Sequence, residues 1–377
     1  MKTIAFVSNT SWSIYNFRIG LLRSFRKEGY NVIVIAPKDN FSSKLLSEGF
    51  SFYHIDIDNY GMNPLKDIGT LIKLYRIYKK VKPEFIFHYT IKPNIYGSVA
   101  AYLNKIPSIA VTTGLGHLLT KSSFITLNLY RICGKLSEEI WFLNNEDANI
   151  FLEKKIVKED KYCVLPSEGI NTNYFYNSND TNNYPTTEFL FAGRLIRDKG
   201  LELLVNAAKQ ILKTTNKKVK FNILGFIDHN NPNSVSFDEI IQWQKEGIIH
   251  YLGETNDIRK YIEFCDCILF PSFYREGVSR VLLEAACMGK PIITTDNVGC
   301  REVVQHNYNG LLCLPRDLDS LIASIEYFLT LSNEERKEMG KNGRKKIHKE
   351  FNETKIFDIY LQKVRPLVKI SHKKVPS

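Results

Sequence analysis

The sequence predicts an α/β chain whose two halves each fold as a parallel sheet wrapped by helices. Three observations carry that expectation. Short apolar runs recur at residues 4–7, 32–36, 52–55, 85–88 and 109–112, with helical periodicity between most of them. A second series follows at 189–192, 221–224, 249–252, 267–270 and 292–294. Between the two lies a stretch rich in Asn, Thr, Ser and Pro, nearly empty of periodic apolar residues, which marks a linker at 167–187. The chain thus divides into a Rossmann-like domain at 1–166 and a second at 188–352.

Length and composition agree. At 377 residues the chain holds two domains, each able to bury its own core. A hydrophobic content of 44% with 24% charged residues is that of a globular protein, and no run approaches the ~20 apolar residues of a spanning helix. The N-terminus enters a strand at once without a signal-peptide pattern, so a cytoplasmic location is expected. Seven cysteines give no disulfide framework. Cys265 and Cys267 fall in an apolar run, where alternation puts both on one face as core packing, and no metal site is expected. Residues 1–166 hold 22 Lys and Arg against 14 Asp and Glu, net +8, leaving 29 against 26 for the rest. A basic first half favours an anionic membrane surface or a phosphorylated substrate. Nucleic acid is excluded as a partner because no helix-turn-helix, RNP, KH or zinc-finger pattern accompanies the charge.

In chain order, the first strand leads to S-N-T-S-W-S-I-Y-N-F-R, where a dinucleotide-binding protein would carry G-x-G-x-x-G. Its absence argues against an NAD enzyme. Arg18 here is a candidate contact for an acceptor phosphate. Residues 64–83 form a basic amphipathic helix, with Leu65, Ile68, Leu71, Ile72, Tyr75 and Tyr78 on one broad face expected to pack on the sheet. His88 on the next strand is either a core or an active-site histidine, and Lys92 stands at that strand's carboxyl end. The run V-T-T-G-L-G-H then brings His117 beyond a flexible turn, as a further acceptor-side candidate. The apolar stretch from Ser122 and the basic helix are the two segments that could touch lipid, through peripheral attachment released by high salt.

In the second half, a strand ends at Gly193, and Arg194 and Lys199 follow before a helix near Leu201. Cations on a loop at a strand's carboxyl end suit a diphosphate. Further on, F-P-S-F-Y-R-E-G-V-S-R-V-L-L-E-A-A-C-M leaves a strand through a loop holding Glu276 and Gly277, then Val278 and Ser279, the latter placed to cap a helix that includes Glu284. A helix start favours an anion. Two carboxylates about 12 Å apart can grip hydroxyls at either end of a sugar-diphosphate-nucleoside laid across it.

Together the loops resemble the donor site of retaining GT-B glycosyltransferases of family 4, whose signatures G-R-x-x-x-x-K-G and E-G-x-x-x-x-x-x-E stand here as Gly193, Arg194, Lys199, Gly200 and Glu276, Gly277, Glu284. G-I-N-T-N-Y-F in the linker is similar to the family's step into its second domain. T-I-K-P-N-I-Y-G resembles the loop of a branch acting in capsule and O-antigen assembly. The resemblance implies a GT-B fold with the two domains facing a central cleft, a last helix at 353–370 crossing back onto the first domain, retention of anomeric configuration, and no metal or other cofactor. Arg194 and Lys199 would neutralise the departing diphosphate, helped by N–H groups near Gly277, Val278 and Ser279. Glu284 would hold the ribose and Glu276 the donor sugar. Relatives carry a histidine where this chain has Thr113, so His117 is not matched to it by position.

The function expected is transfer of a sugar from a nucleotide-diphosphate sugar, UDP-linked by preference, to a polyprenyl-diphosphate-linked saccharide at the inner membrane face. A GT-B sugar-nucleotide epimerase, a two-domain sugar-binding protein and a pyridoxal-phosphate-dependent phosphorylase are the alternatives.

Overall fold

In a computed structural model the described residues are 2–58, 63–116, 123–176, 186–229 and 231–368. The strands and helices are β1 Thr3–Val7, α1 Ser11–Lys27, β2 Asn31–Ala36, α2 Ser42–Ser47, β3 Ser51–His54, α3 Pro64–Val81, β4 Phe85–Tyr89, α4 Ser98–Leu103, β5 Ser108–Thr112, α5 Ser123–Leu136, β6 Glu139–Phe142, α6 Asn145–Glu153 and β7 Tyr162–Val164. They continue with β8 Thr186–Ala192, α7 Leu201–Thr214, β9 Lys218–Leu224, α8 Phe237–Lys245, β10 His250–Tyr251, α9 Arg259–Phe264, β11 Cys267–Phe270, α10 Arg280–Cys287, β12 Ile292–Thr295, β13 Gly310–Cys313, α11 Leu318–Thr330, α12 Asn333–Glu350 and α13 Glu353–Leu367. A π-helical turn at Pro93–Gly97 precedes α4.

The chain divides into two units, Met1–Gly169 with Glu353–Ser377, and Ile170–Asn352. The first contains a seven-stranded sheet in the order β3-β2-β1-β4-β5-β6-β7, the second a six-stranded sheet in the order β10-β9-β8-β11-β12-β13. Every strand pair is parallel, as in β1 with β2 and β4, and β8 with β9 and β11. The central strands are mainly apolar because helices cover both faces: Ile4, Phe6, Phe85 and Phe87 in one sheet, Leu190, Phe191, Ile268 and Leu269 in the other, are all buried. In each sheet the strand order reverses beside the first strand, at β1/β4 and at β8/β11. Ligands of open parallel sheets bind outside the carboxyl ends there.

Within the first unit, α13 packs through Phe357 on Phe25 at 5.1 Å and through Tyr360 on Phe87 and Trp141, each at 4.8 Å between ring centroids. Helix starts carry the expected caps: Thr10 accepts from Ser13, Asn63 from Leu65 and Lys66, and Ser332 forms a capping box with Glu335.

Several details differ from the expectations above. Three short strands, β6, β7 and β13, add to the two predicted series. Cys265 lies outside β11, as the cap residue after α9, and Cys267 opens the strand; both are buried, which pushes the Cys265 thiol up to about 12. Helix α3 turns only part of its broad apolar face inward: Tyr78 is in the core and Leu71 and Tyr75 pack against it, as expected. It buries Asp67, Thr70, Leu74 and Tyr78 and leaves Leu65, Ile68 and Ile72 exposed. The rotation has a polar cause: Asp67 faces inward to bind Lys92 Nζ at 2.7 Å and the Tyr96 hydroxyl at 3.0 Å. Among the described residues, no helix is long and apolar enough to cross a membrane.

Candidate active site

The loops that follow β8 and β11 meet at the switch point of the second sheet. Gly193 leaves β8 with φ +153°, and the loop closes at Gly200, where φ is +79° and a Cβ would run into the Pro271 carbonyl. The loop is clamped from both sides. Phe273 N–H donates to the Asp198 carbonyl at 2.9 Å, Asn233 Nδ2 to the Asp198 carboxylate at 2.9 Å, and Arg197 N–H to the Asn233 carbonyl at 2.8 Å. The loop after β11 is tied down as well, by Thr294 Oγ1 on the Phe270 carbonyl at 2.6 Å and Asn297 Nδ2 on the Tyr274 carbonyl at 3.0 Å.

These anchors bring Lys199 and Glu276 together, with Nζ and Oε1 3.1 Å apart and both side chains largely buried. The Lys199 ammonium also lies 5.2 Å over the Phe270 ring. Arg194, 3.7 Å from the Asp228 carboxylate and 5.7 Å over the Tyr274 ring, stands on the same loop. Glu284 sits on α10, where Arg280 Nε donates to its Oε1 at 3.0 Å. Its side chain is 13% exposed, and burial raises its pKa above the usual carboxylate range while Arg280 opposes the rise.

Ser279 is the residue before α10, as the sequence suggests, yet its hydroxyl caps nothing. That oxygen is buried and has no hydrogen-bond partner among the described residues. Its N–H donates to the Gly299 carbonyl at 2.8 Å, so this backbone group, expected from the sequence to serve a diphosphate, is already used. A helix's first N–H groups lie beyond the reach of any helical carbonyl, and α10 begins directly after Ser279.

Three contributors escape a reading of the sequence alone. Asp228 is buried after β9 and pairs with Arg194. Arg280 pairs with Glu284. Gly299, with φ +88°, lies so close that a Cβ would stand 2.9 Å from the Glu276 Cβ. Only the G-C-R-E stretch after β12 hints at the last.

The acceptor-side candidates fare differently. Arg18 is 3% exposed: Nη1 donates to the Ser13 carbonyl at 3.0 Å, Nη2 pairs with Glu168, and the guanidinium stacks 3.9 Å over Tyr89. No face is left for an acceptor phosphate, which corrects that expectation. His88 is a core histidine, wholly buried and 2.9 Å from the Tyr78 hydroxyl, and burial lowers its pKa to about 3. Lys92 is committed to Asp67. His117 lies outside the described residues.

The chain is similar to known proteins over both units. Residues 178–346 match the family described as glycosyl transferases group 1, and residues 3–142 match glycosyl transferase 4-like. The N,N'-diacetylbacillosaminyl-diphospho-undecaprenol alpha-1,3-N-acetylgalactosaminyltransferase of Campylobacter jejuni subsp. jejuni serotype O:2 is 28% identical over 345 residues, covering 86% of this chain and 89% of that one. The UDP-Gal:alpha-D-GlcNAc-diphosphoundecaprenol alpha-1,3-galactosyltransferase of Escherichia coli is 27% identical over 356 residues, covering 89% and 90%. Anabaena HepE, solved in complex with UDP, superposes with a TM-score of 0.78 at 18% identity, over 97% of this chain and 100% of that one, and so shares the fold. From the two matched segments and the relatives that span both units, the chain belongs to the group 1 (GT4) glycosyltransferases.

Proposed function

We propose that the chain moves a sugar, with retention of configuration, from a UDP-sugar to a polyprenyl-diphosphate-linked saccharide in bacterial surface polysaccharide assembly, while attached peripherally to the inner membrane face. The observation that carries the reading is the gathering of Lys199, Arg194 and Glu276 at the carboxyl ends of β8 and β11 beside the start of α10. It is supported by two relatives whose names specify undecaprenyl-diphosphate-linked acceptors, and by a fold neighbour that binds UDP.

In this reading Arg194 and Lys199 take the charge that accumulates on the leaving UDP, the largely buried Lys199 acting as a fixed cation. The positive end of the α10 dipole and the unpartnered Ser279 hydroxyl favour the same diphosphate. Glu276 accepts from hydroxyls of the donor sugar and sets the anomeric carbon. Glu284 accepts from the ribose. The leaving phosphate oxygen takes the acceptor hydroxyl's proton as the new glycosidic bond forms on the same face, a course that needs no covalent glutamyl intermediate.

The test supplies UDP-Gal, UDP-GlcNAc and UDP-GalNAc separately with an undecaprenyl-diphosphate-linked saccharide and follows both UDP release and extension of the lipid-linked glycan. Release coupled to extension with one donor is the expected result. UDP-sugar consumed without UDP release would point to an epimerase and overturn the proposal.

A further inference from the structure

The outward face of the helix layer formed by α3, α4 and α5 matches nothing in the catalytic reading. On α3, Leu65, Ile68, Ile72, Arg76 and Lys79 recur at helical spacing along one solvent-facing stripe. Leu65 is 81% exposed, and Ile68 and Ile72 are exposed with it. On α5 the same order repeats, with Phe124 72% exposed, Ile125 and Ile132 also exposed, and Lys135 at the last turn. Both helices pack against α4 and the π-helical turn before it, so they lie on one side of the seven-stranded sheet. Both also run from the carboxyl ends of the strands toward the amino ends. The starts of both helices, with Leu65 and Ile68 on α3 and Phe124 and Ile125 on α5, therefore line up along one edge, and Arg76, Lys79 and Lys135 lie toward the other, with Ile132 beside Lys135.

We infer that this face docks the protein on an anionic lipid surface, with Leu65, Ile68, Ile72, Phe124, Ile125 and Ile132 entering the boundary between headgroups and chains. The inference deepens the peripheral attachment proposed above and rests on it. Two features select lipid as the occupant. Isolated exposed apolar residues are ordinary, but two parallel stripes on the helices that flank α4 make an amphipathic face of the kind that lies in a bilayer interface. Charge decides between a bilayer and a second copy of the chain. Lys66 and Lys73 beside the stripe are balanced by Asp58 at 3.6 Å and Asp56 at 2.9 Å, whereas Arg76, Lys79 and Lys80 pair with no carboxylate among the described residues. A self-complementary dimer would set these cations against their own copies, while an anionic leaflet attracts them.

The experiment measures co-sedimentation of the full chain with vesicles of phosphatidylcholine alone and of phosphatidylcholine mixed with phosphatidylglycerol, neither containing polyprenyl lipid. Two variants are compared: Ile68→Ser/Ile72→Ser/Phe124→Ser, which removes apolar insertion, and Arg76→Glu/Lys79→Glu, which reverses charge. The unmodified chain is expected to sediment only with the anionic vesicles and to leave them in high salt. Each variant should bind at least about tenfold more weakly, while UDP release with a detergent-dispersed acceptor stays unchanged. Equal binding of both variants and the unmodified chain, no binding of the unmodified chain at low salt, or a dimer that the serine variant dissolves would each overturn the inference. Because the vesicles carry no acceptor, failure here leaves UDP release intact, whereas failure of the transferase reading abolishes UDP release and leaves sedimentation intact.

Discussion

Lys199 Nζ lies 3.1 Å from Glu276 Oε1, so the cation proposed for the diphosphate and the acid proposed for the donor sugar neutralise each other. A donor would replace that pairing, giving Lys199 a phosphate and Glu276 a set of hydroxyls. Removing either partner leaves the other charge uncompensated in a largely buried place. Lys199→Ala is therefore expected to reduce kcat/KM by about a hundredfold to a thousandfold, and Glu276→Gln to reduce kcat by a comparable factor. The double variant should lose less than the product of the two, because the residues act as a unit. Single-turnover UDP release at saturating and at limiting donor checks all three.

The pair on α10 gives a pH signature. Burial raises the Glu284 pKa, Asp257 adds to the rise, and Arg280 counters it. If the carboxylate must be ionised to hold the ribose, donor affinity falls as pH drops through that raised value. Arg280→Ala removes the countering charge, so the acid limb of 1/KM for donor should move to higher pH, with KM at neutral pH up about tenfold. Arg280→Lys should restore much of the original profile, and Glu284→Gln should flatten it at a high KM. A profile unmoved in Arg280→Ala would show that Glu284 does not depend on its neighbour.

How much of this is readable in the sequence follows from the range of each interaction. Arg194, Lys199 and Glu276 sit on two loops, and Glu284 on the helix that follows the second; that strand-turn-helix grammar is local, so their positions are legible. Their partners Asp228 and Gly299 come from other loops, and only the folded sheet brings them near. Arg18 and His88 mislead in the opposite sense: polar residues beside an expected site can be consumed by the core, here through Glu168, Tyr89 and Tyr78. The buried face of α3 is hidden for a similar reason, since the periodicity of Leu65, Ile68 and Ile72 carries no record that Asp67 is drawn inward by Lys92. Strands β6, β7 and β13 span three or four residues each, too few to show a period.

Gly299 should tolerate no side chain. Its φ of +88° is unfavourable for any other residue, and an added Cβ would meet the Glu276 Cβ at 2.9 Å. Gly253 offers a control, since its φ is +77° but nothing lies within 4 Å of a Cβ built there. Gly253→Ala is expected to lower stability by about 1 kcal/mol from backbone strain alone. Gly299→Ala should cost that and also displace Glu276, cutting kcat by at least about tenfold in protein that remains folded. Thermal unfolding and UDP release, measured on both variants, separate strain from displacement.

His88 makes the first unit acid-sensitive. Its folded pKa of about 3 lies below the ordinary value of 6.5, because the ring is buried with only the Tyr78 hydroxyl against Nε2 and accepts a proton at great cost. Between those two values the unfolded chain binds the extra proton and the folded chain does not, so unfolding is favoured as pH falls. The contribution is complete above about pH 6.5 and is lost progressively toward pH 3. Every pH unit crossed within that window weakens the fold by about 1.4 kcal/mol, so the loss reaches several kcal/mol at the acid end. His88→Gln abolishes the titration. At neutral pH it should lose about 1–3 kcal/mol, through the altered bond to Tyr78 and the close packing of the ring against Gly97. Its stability should then fall less steeply than that of the unmodified chain between pH 6.5 and pH 3, since the carboxylates that titrate in the same window are common to both. Urea unfolding of the two proteins across that range checks the sign; a constant difference at every pH would mean that the imidazole does not titrate differently in the two states.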